Sequence, residues 1–227
     1  MSKPRLRDLV ARLQRRYGSP PAPMRDPLHL ILWENIGYLC DDEQRGAAFE
    51  ALRTRVGLDP KKIAAAPLAQ LTEIARIGGI HPELRARRFR EIARLALEQH
   101  GGDLKPLLAL PPAQARKSFR AFPAIGEPGA EKILLFAQAR PLLALESNGL
   151  RVLLRLGFGE EAPSYASSYK SVRMDLEPEI GDDCAFLTTA HQLLRRHGQE
   201  LCRRSQPRCS ECVLFSVCPY PSRVENG

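Results

Sequence analysis

The six cysteines of this 227-residue chain are unevenly spread, and four of them crowd its last 26 residues as Cys202-RRSQPR-Cys209-SE-Cys212-VLFSV-Cys218. Four thiolates separated by six, two and five residues can wrap one compact metal centre. Zinc sites usually show two CxxC-type knuckles or paired Cys and His, and here there is a single CxxC. A cubane [4Fe–4S] cluster needs one thiolate per iron and matches four unevenly spaced cysteines better, with zinc as the alternative. Arg203, Arg204 and Arg208 fall in the loop between the first two ligands. A loop pinned at both ends would hold them toward a phosphate backbone; otherwise they form a solvated basic loop. Glu34 stands in the apolar run Leu30-Ile-Leu-Trp33-Glu34-Asn35. A carboxylate buried there is costly unless it has an ionic partner or a task.

The elements that must position these groups read as helices. Residues 4–17 place Leu6, Leu9, Val10, Leu13 and Tyr17 on one stripe. After the proline-rich GSPPAPMRDP, Asp26 can cap and Pro27 can open a buried helix over about 27–40. Further helical patterns run over about 42–56, 67–76, 83–99, 111–120, 129–138, 147–156 and 183–198, separated by Gly/Pro breakers. Cys40 and Cys184 lie inside such patterns and are expected to be small buried residues. No alternating strand pattern occurs, so the expected fold class is all-α. An apolar fraction of 44% with 26% charged residues excludes a disordered chain, a coiled coil and a collagen-like fibre. No run approaches the roughly 20 apolar residues of a membrane span. The N-terminal MSKPRLRDLV lacks the apolar segment of a secretory signal, which points to a reducing, cytoplasmic setting where clustered cysteines hold metal. Formal charge is +8, so nucleic acid is the first partner to consider.

The cysteine spacing, with the preceding His191-QLLRRHGQEL-Cys202 helix, resembles the C-terminal module of the endonuclease III and MutY DNA glycosylases, members of the helix-hairpin-helix superfamily. The segment Phe122-Pro-Ala-Ile-Gly126-Glu-Pro-Gly129-Ala130, followed by a helix, resembles that superfamily's Leu-Pro-Gly-Val-Gly hairpin, with Ala124 replacing the first glycine. The resemblance implies two helical lobes. One is a six-helix barrel containing the hairpin, residues 26–142; the other joins residues 1–25 to 143–227 and holds the iron–sulfur cluster. It also implies a monomeric enzyme that takes double-stranded DNA carrying a lesion or mismatch, flips the base out and cleaves its N-glycosidic bond. The lesion itself is not named by the sequence.

Carried over residue by residue, the resemblance gives the site an unusual cast. Lyase-active members bear a lysine two positions after the last hairpin glycine, and here that position is Pro128. A proline has no amine to form a Schiff base, so a monofunctional hydrolase is expected. Lys132, one helical turn along, is the alternative nucleophile or a phosphate contact. The family's aspartate corresponds to Glu146 in Leu145-Glu-Ser-Asn148-Gly-Leu-Arg151-Val152, which would stabilise the sugar cation or else cap the next helix. Glu34 matches the MutY glutamate that protonates the leaving base. The family's glutamine-bearing loop corresponds to Gly37-Tyr38-Leu39-Cys40-Asp41, so Tyr38 or Leu39 becomes an apolar wedge, although core burial is the commoner fate of Trp33 and Tyr38. His81 falls in a second DNA-touching loop. The hairpin residues Gly126, Gly129 and Ala130 would hold a phosphate. A non-catalytic DNA-binding relative is the remaining reading.

Overall fold

The computed structural model describes residues 3–221, and among them the chain is helical without a named strand. The helices are α1 (Leu6–Tyr17), α2 (Pro27–Ile36), α3 (Asp42–Arg55), α4 (Pro60–Ala65), α5 (Leu68–Ile77), α6 (Pro82–His100), α7 (Pro112–Arg120), α8 (Glu127–Phe136), α9 (Ser147–Arg155), α10 (Tyr165–Leu176) and α11 (Cys184–Glu200). The described residues fall into two compact units, one within Met24–Ala139 and one within Met1–Pro23 and Arg140–Gly227.

In the first unit α6 is the hub, with α2, α4 and α5 packed against it. Ile31, Leu52, Ile63, Ile74, Phe89 and Ile92 are fully buried in its core. Asp26 caps α2 through the amides of Leu28 (3.0 Å) and His29 (3.2 Å), with Pro27 at the first helical position. Helix α2 stops at Ile36 rather than continuing to Cys40. Its last carbonyl is taken by the Arg85 guanidinium, and the chain beyond makes an isolated parallel bridge from Tyr38 to Gly79. A Cβ on Gly79, whose φ is +102°, would lie 2.3 Å from the Tyr38 carbonyl oxygen, so the close approach of these loops requires glycine. Cys40 is therefore half-buried in a loop, and Cys184 is the half-exposed first residue of α11; neither is the buried helical cysteine expected.

In the second unit α11 packs on α9 and α1, and α10 on α9. The apolar stripe of α1 is buried at Leu6, Leu9, Val10 and Leu13, as its periodicity predicts. Two helices escaped the pattern. The six residues of α4 are too few to show a period. The buried face of α10 carries Ser168 beside Tyr169, Val172 and Leu176, and the small polar residue interrupts the stripe.

Helices α9 and α11 approach closely at Gly198, where a Cβ would meet the Asn148 carbonyl oxygen at 2.6 Å and its Cβ at 2.7 Å. Gly198→Ala is expected to cost about 1–3 kcal/mol through forced separation of the two helices, read as a lowered melting temperature. A wild-type melt would show that the helices slide apart freely.

Candidate active site and metal centre

After α11 the chain has little apolar anchorage of its own. Leu201 and Leu214 are buried, while Arg203, Arg204 and Arg208 are exposed. Cys202, Cys209, Cys212 and Cys218 line one small pocket with Arg155 and Tyr220, and all four are thiols. Burial pushes the Cys212 thiol up to about 11 and raises Cys209 and Cys218 as well, so they stay protonated until a cation draws the protons off. Among the described residues no group of three or more His, Cys, Asp or Glu side chains is already gathered about one metal position. Four thiols ranged around a pocket fit a polynuclear group with one thiolate per metal atom, the donor set of a [4Fe–4S] cluster.

The loop is fastened by residues that sequence reasoning passed over. Arg155, at the end of α9, donates to the carbonyls of Arg203 (2.7 Å) and Arg204 (3.1 Å) and to the Cys202 sulfur (3.4 Å). Its guanidinium also lies 4.2 Å from the Tyr220 ring centre. His197, 1% exposed, sets Nε2 3.4 Å from the Cys212 sulfur and Nδ1 3.0 Å from the Tyr17 hydroxyl. Burial draws the His197 pKa down to about 4 and pushes Tyr17 up to about 12, so both are neutral. In the sequence Tyr17 reads only as the end of an apolar stripe.

Glu146 takes the capping role that was its alternative reading. One carboxylate oxygen accepts from the Gly149 amide at 2.6 Å, and the other from Asn148 Nδ2 at 2.8 Å. Asn148 Oδ1 accepts in turn from Arg151 at 2.8 Å, and Arg151 donates to the carbonyls of Gly198 (2.8 Å) and Cys202 (2.9 Å). A continuous hydrogen-bonded line thus runs from the half-buried carboxylate to the backbone of the first cysteine of the cluster motif. Each carboxylate oxygen keeps a second lone pair, so capping leaves the charge able to act on a ligand. Asn148, Arg151, Arg155, Tyr165, Arg203 and Arg204 line one broad concavity beside it.

In the other unit Glu34 has an ionic partner: Lys132 Nζ lies 2.6 Å from its Oε1, with both side chains largely buried. The carboxylate is therefore not the lone buried charge of the sequence expectation. The hairpin turns through Ala124 at φ +59°, a left-handed conformation that costs a non-glycine residue roughly 1–2 kcal/mol. Gly126 is the N-cap of α8. Pro128 removes one amide from the first turn, and the Glu127 carboxylate sits there with Arg116 (3.3 Å) and Arg120 (3.1 Å). A phosphate at this helix end must share the two arginines with Glu127. Ala130 is fully buried and its amide bonds the Gly126 carbonyl, so it has nothing to offer a phosphate, which corrects that expectation.

Tyr38 is 52% and Leu39 76% exposed; Tyr38 is thus not a core residue, while Trp33 is half-buried edge-on against Phe49. Tyr38 stacks on exposed His81 with ring centres 6.1 Å apart. Leu39 and His81 both hold left-handed φ angles, of 50° and 56°. Buried Arg85 clamps the two loops by donating to the carbonyls of Ile36, Gly79 and Ile80. Ile80 and Leu84, also exposed, extend this apolar tip and were not singled out from sequence.

No protein-family model matches the chain. It is 26% identical over 182 residues to endonuclease III of Sulfolobus acidocaldarius, covering 79% of this chain and 75% of that protein. It is 26% identical over 132 residues to endonuclease III of Escherichia coli, covering 58% and 56%. Among solved structures, a non-covalent endonuclease III–DNA complex superimposes with a TM-score of 0.78 over the full length of both chains at 19% identity.

Proposed function

We propose that this chain, a member of the endonuclease III-like helix-hairpin-helix superfamily, is a monofunctional base-excision DNA glycosylase acting as a monomer on duplex DNA with a damaged or mispaired base. The observation that carries the reading is the hydrogen-bonded line from Glu146 through Asn148 and Arg151 to the Cys202 carbonyl. It joins the two features that the sequence holds 56 positions apart.

The N-glycosidic bond breaks with its electron pair leaving on the base, and positive charge builds on the sugar. The Glu146 carboxylate, held in place by the Gly149 amide and Asn148, stabilises that charge. Water adds at the sugar carbon, its proton is lost, and the leaving base takes up a proton. Glu34 is the candidate proton donor, and the incoming base must first displace Lys132 from it, because the ammonium occupies Oε1 at 2.6 Å. Cys202, Cys209, Cys212 and Cys218 would hold the [4Fe–4S] cluster. When bound, it supplies a rigid cross-link and no bond-making step, because hydrolysis moves no electrons between centres. The exposed Arg203, Arg204 and Arg208 then meet the DNA backbone from a fixed loop. Gly126, Gly129 and the apolar tip of Tyr38, Leu39 and His81 complete the DNA-contacting set.

Lyase chemistry through Lys132 would require its amine to leave the Glu34 carboxylate, 2.6 Å away, before it could reach the sugar carbon. A panel of single-lesion duplexes spanning uracil, oxidised, alkylated and mismatched bases tests the proposal. Strand scission appearing only after alkali supports it, and absence of base release across the panel would leave a DNA-binding relative. Borohydride added during turnover is expected to trap no protein–DNA adduct; a covalent species lost in Lys132→Ala would overturn the monofunctional assignment.

A further inference from the structure

Half-buried Tyr17 and buried His197 take no part in the steps above, yet the pair ends on a cysteine sulfur. We propose that His197 donates a hydrogen bond to the Cys212 sulfur that raises the reduction potential of the iron–sulfur group, and that Tyr17 sets the imidazole tautomer that allows it. This rests on the reading that the four cysteines hold such a group.

His197 Nε2 is 3.4 Å from the Cys212 sulfur, and Nδ1 is 3.0 Å from the Tyr17 hydroxyl. A neutral imidazole carries one N–H. A cysteine sulfur bound to iron has no proton to give, so the hydrogen in the short approach to Cys212 must come from Nε2. Nδ1 is then an acceptor, and the Tyr17 O–H, 3.0 Å away, fills it. The three groups therefore satisfy one another in a single proton arrangement: hydroxyl to Nδ1, Nε2–H to sulfur.

Tyr17 is well fixed for this task. It is the last residue of α1, its ring meets the His197 ring edge-on at 6.0 Å, and the Arg196 guanidinium lies 4.7 Å from its ring centre. Arg196 also donates to the Tyr17 carbonyl at 3.2 Å. The Leu214 amide is a further donor to Cys212, at 3.4 Å, so this sulfur accepts from two N–H groups. Reduction adds one electron to the iron–sulfur group and increases the negative charge on its sulfurs. A donor aimed at a sulfur stabilises the reduced state more than the oxidised one and moves the potential upward. No proton transfers and no bond breaks. The end of α1, some 195 residues before the cysteine it serves, thereby becomes part of the metal centre's electrical environment.

The experiment uses the full chain purified without oxygen. Iron content and visible absorption are measured first, then the potential is read by electrode titration for wild type, His197→Phe, His197→Gln and Tyr17→Phe. His197→Phe with full iron is expected to shift to a more negative potential. His197→Gln, which keeps an N–H near the same place, should recover much of the shift, and Tyr17→Phe should move the same way by less. A His197→Phe protein with wild-type iron and a wild-type potential overturns the inference. If that variant loses iron or fails to fold, Tyr17→Phe decides, because it preserves the ring packing; an unchanged potential there overturns it equally. An iron-free wild-type protein would remove the cofactor reading and this inference together, whereas an iron-loaded protein with unmoved potentials removes the inference alone.

Discussion

Glu146→Gln is expected to reduce base release on the order of 10²–10³-fold while leaving the fold in place, because it removes the charge that meets the sugar cation and keeps an oxygen to cap α9. The cap bond to the Gly149 amide survives in the amide form. Asn148, which now donates to the lost carboxylate oxygen, faces an NH₂ group and must turn, so a stability loss of about 1 kcal/mol is expected from the weakened cap. Single-turnover release from the preferred duplex, alongside a thermal melt, separates the two effects. Glu146→Asp keeps the charge and is itself a good capping residue, but it draws the carboxylate back by one methylene. Its activity should fall by no more than about 100-fold, the size expected for a displacement near 1 Å. Glu146→Gln turning over at the wild-type rate would reduce this carboxylate to a helix cap and assign the chemistry elsewhere.

Arg151→Met is the second large effect. The guanidinium satisfies three acceptors at once, Asn148 Oδ1 and the carbonyls of Gly198 and Cys202. Methionine fills similar space and satisfies none. Charged hydrogen bonds are worth about 1.5–3 kcal/mol each, and the half-exposed position lets water replace part of them, so a net loss of about 3 kcal/mol is expected. The loss should be uneven. Release of the Cys202 carbonyl loosens the start of the cysteine loop, so iron retained per chain should drop. Release of Asn148 frees Glu146 to swing, so base release should fall even in molecules that keep their iron. Arg151→Lys should rescue little, because an ammonium cannot span three acceptors that a planar fork reaches together. Should Arg151→Met keep full iron and full base release, the line from Glu146 to Cys202 would be scaffold with no influence on either end.

The sequence alone determined the elements and the chemical inventory. Helix α1 was legible because burying Leu6, Leu9, Val10 and Leu13 requires the 3.6-residue period, and α2 because Asp26 and Pro27 announce its start through local backbone chemistry. The four-cysteine motif and the absence of a hairpin lysine are likewise properties of spacing and residue type, visible before folding. What lies across long separations was not legible. Arg85 ending α2 49 positions earlier, Lys132 meeting Glu34 from 98 positions away, and Tyr17 reaching His197 across 180 are contacts that leave no local period or turn signal. Each depends on directional hydrogen bonds made only after apolar packing has brought the helices together. Only the tertiary structure could therefore decide that Glu34 is paired, that Tyr38 faces outward and that Ala130 is spent within its own helix.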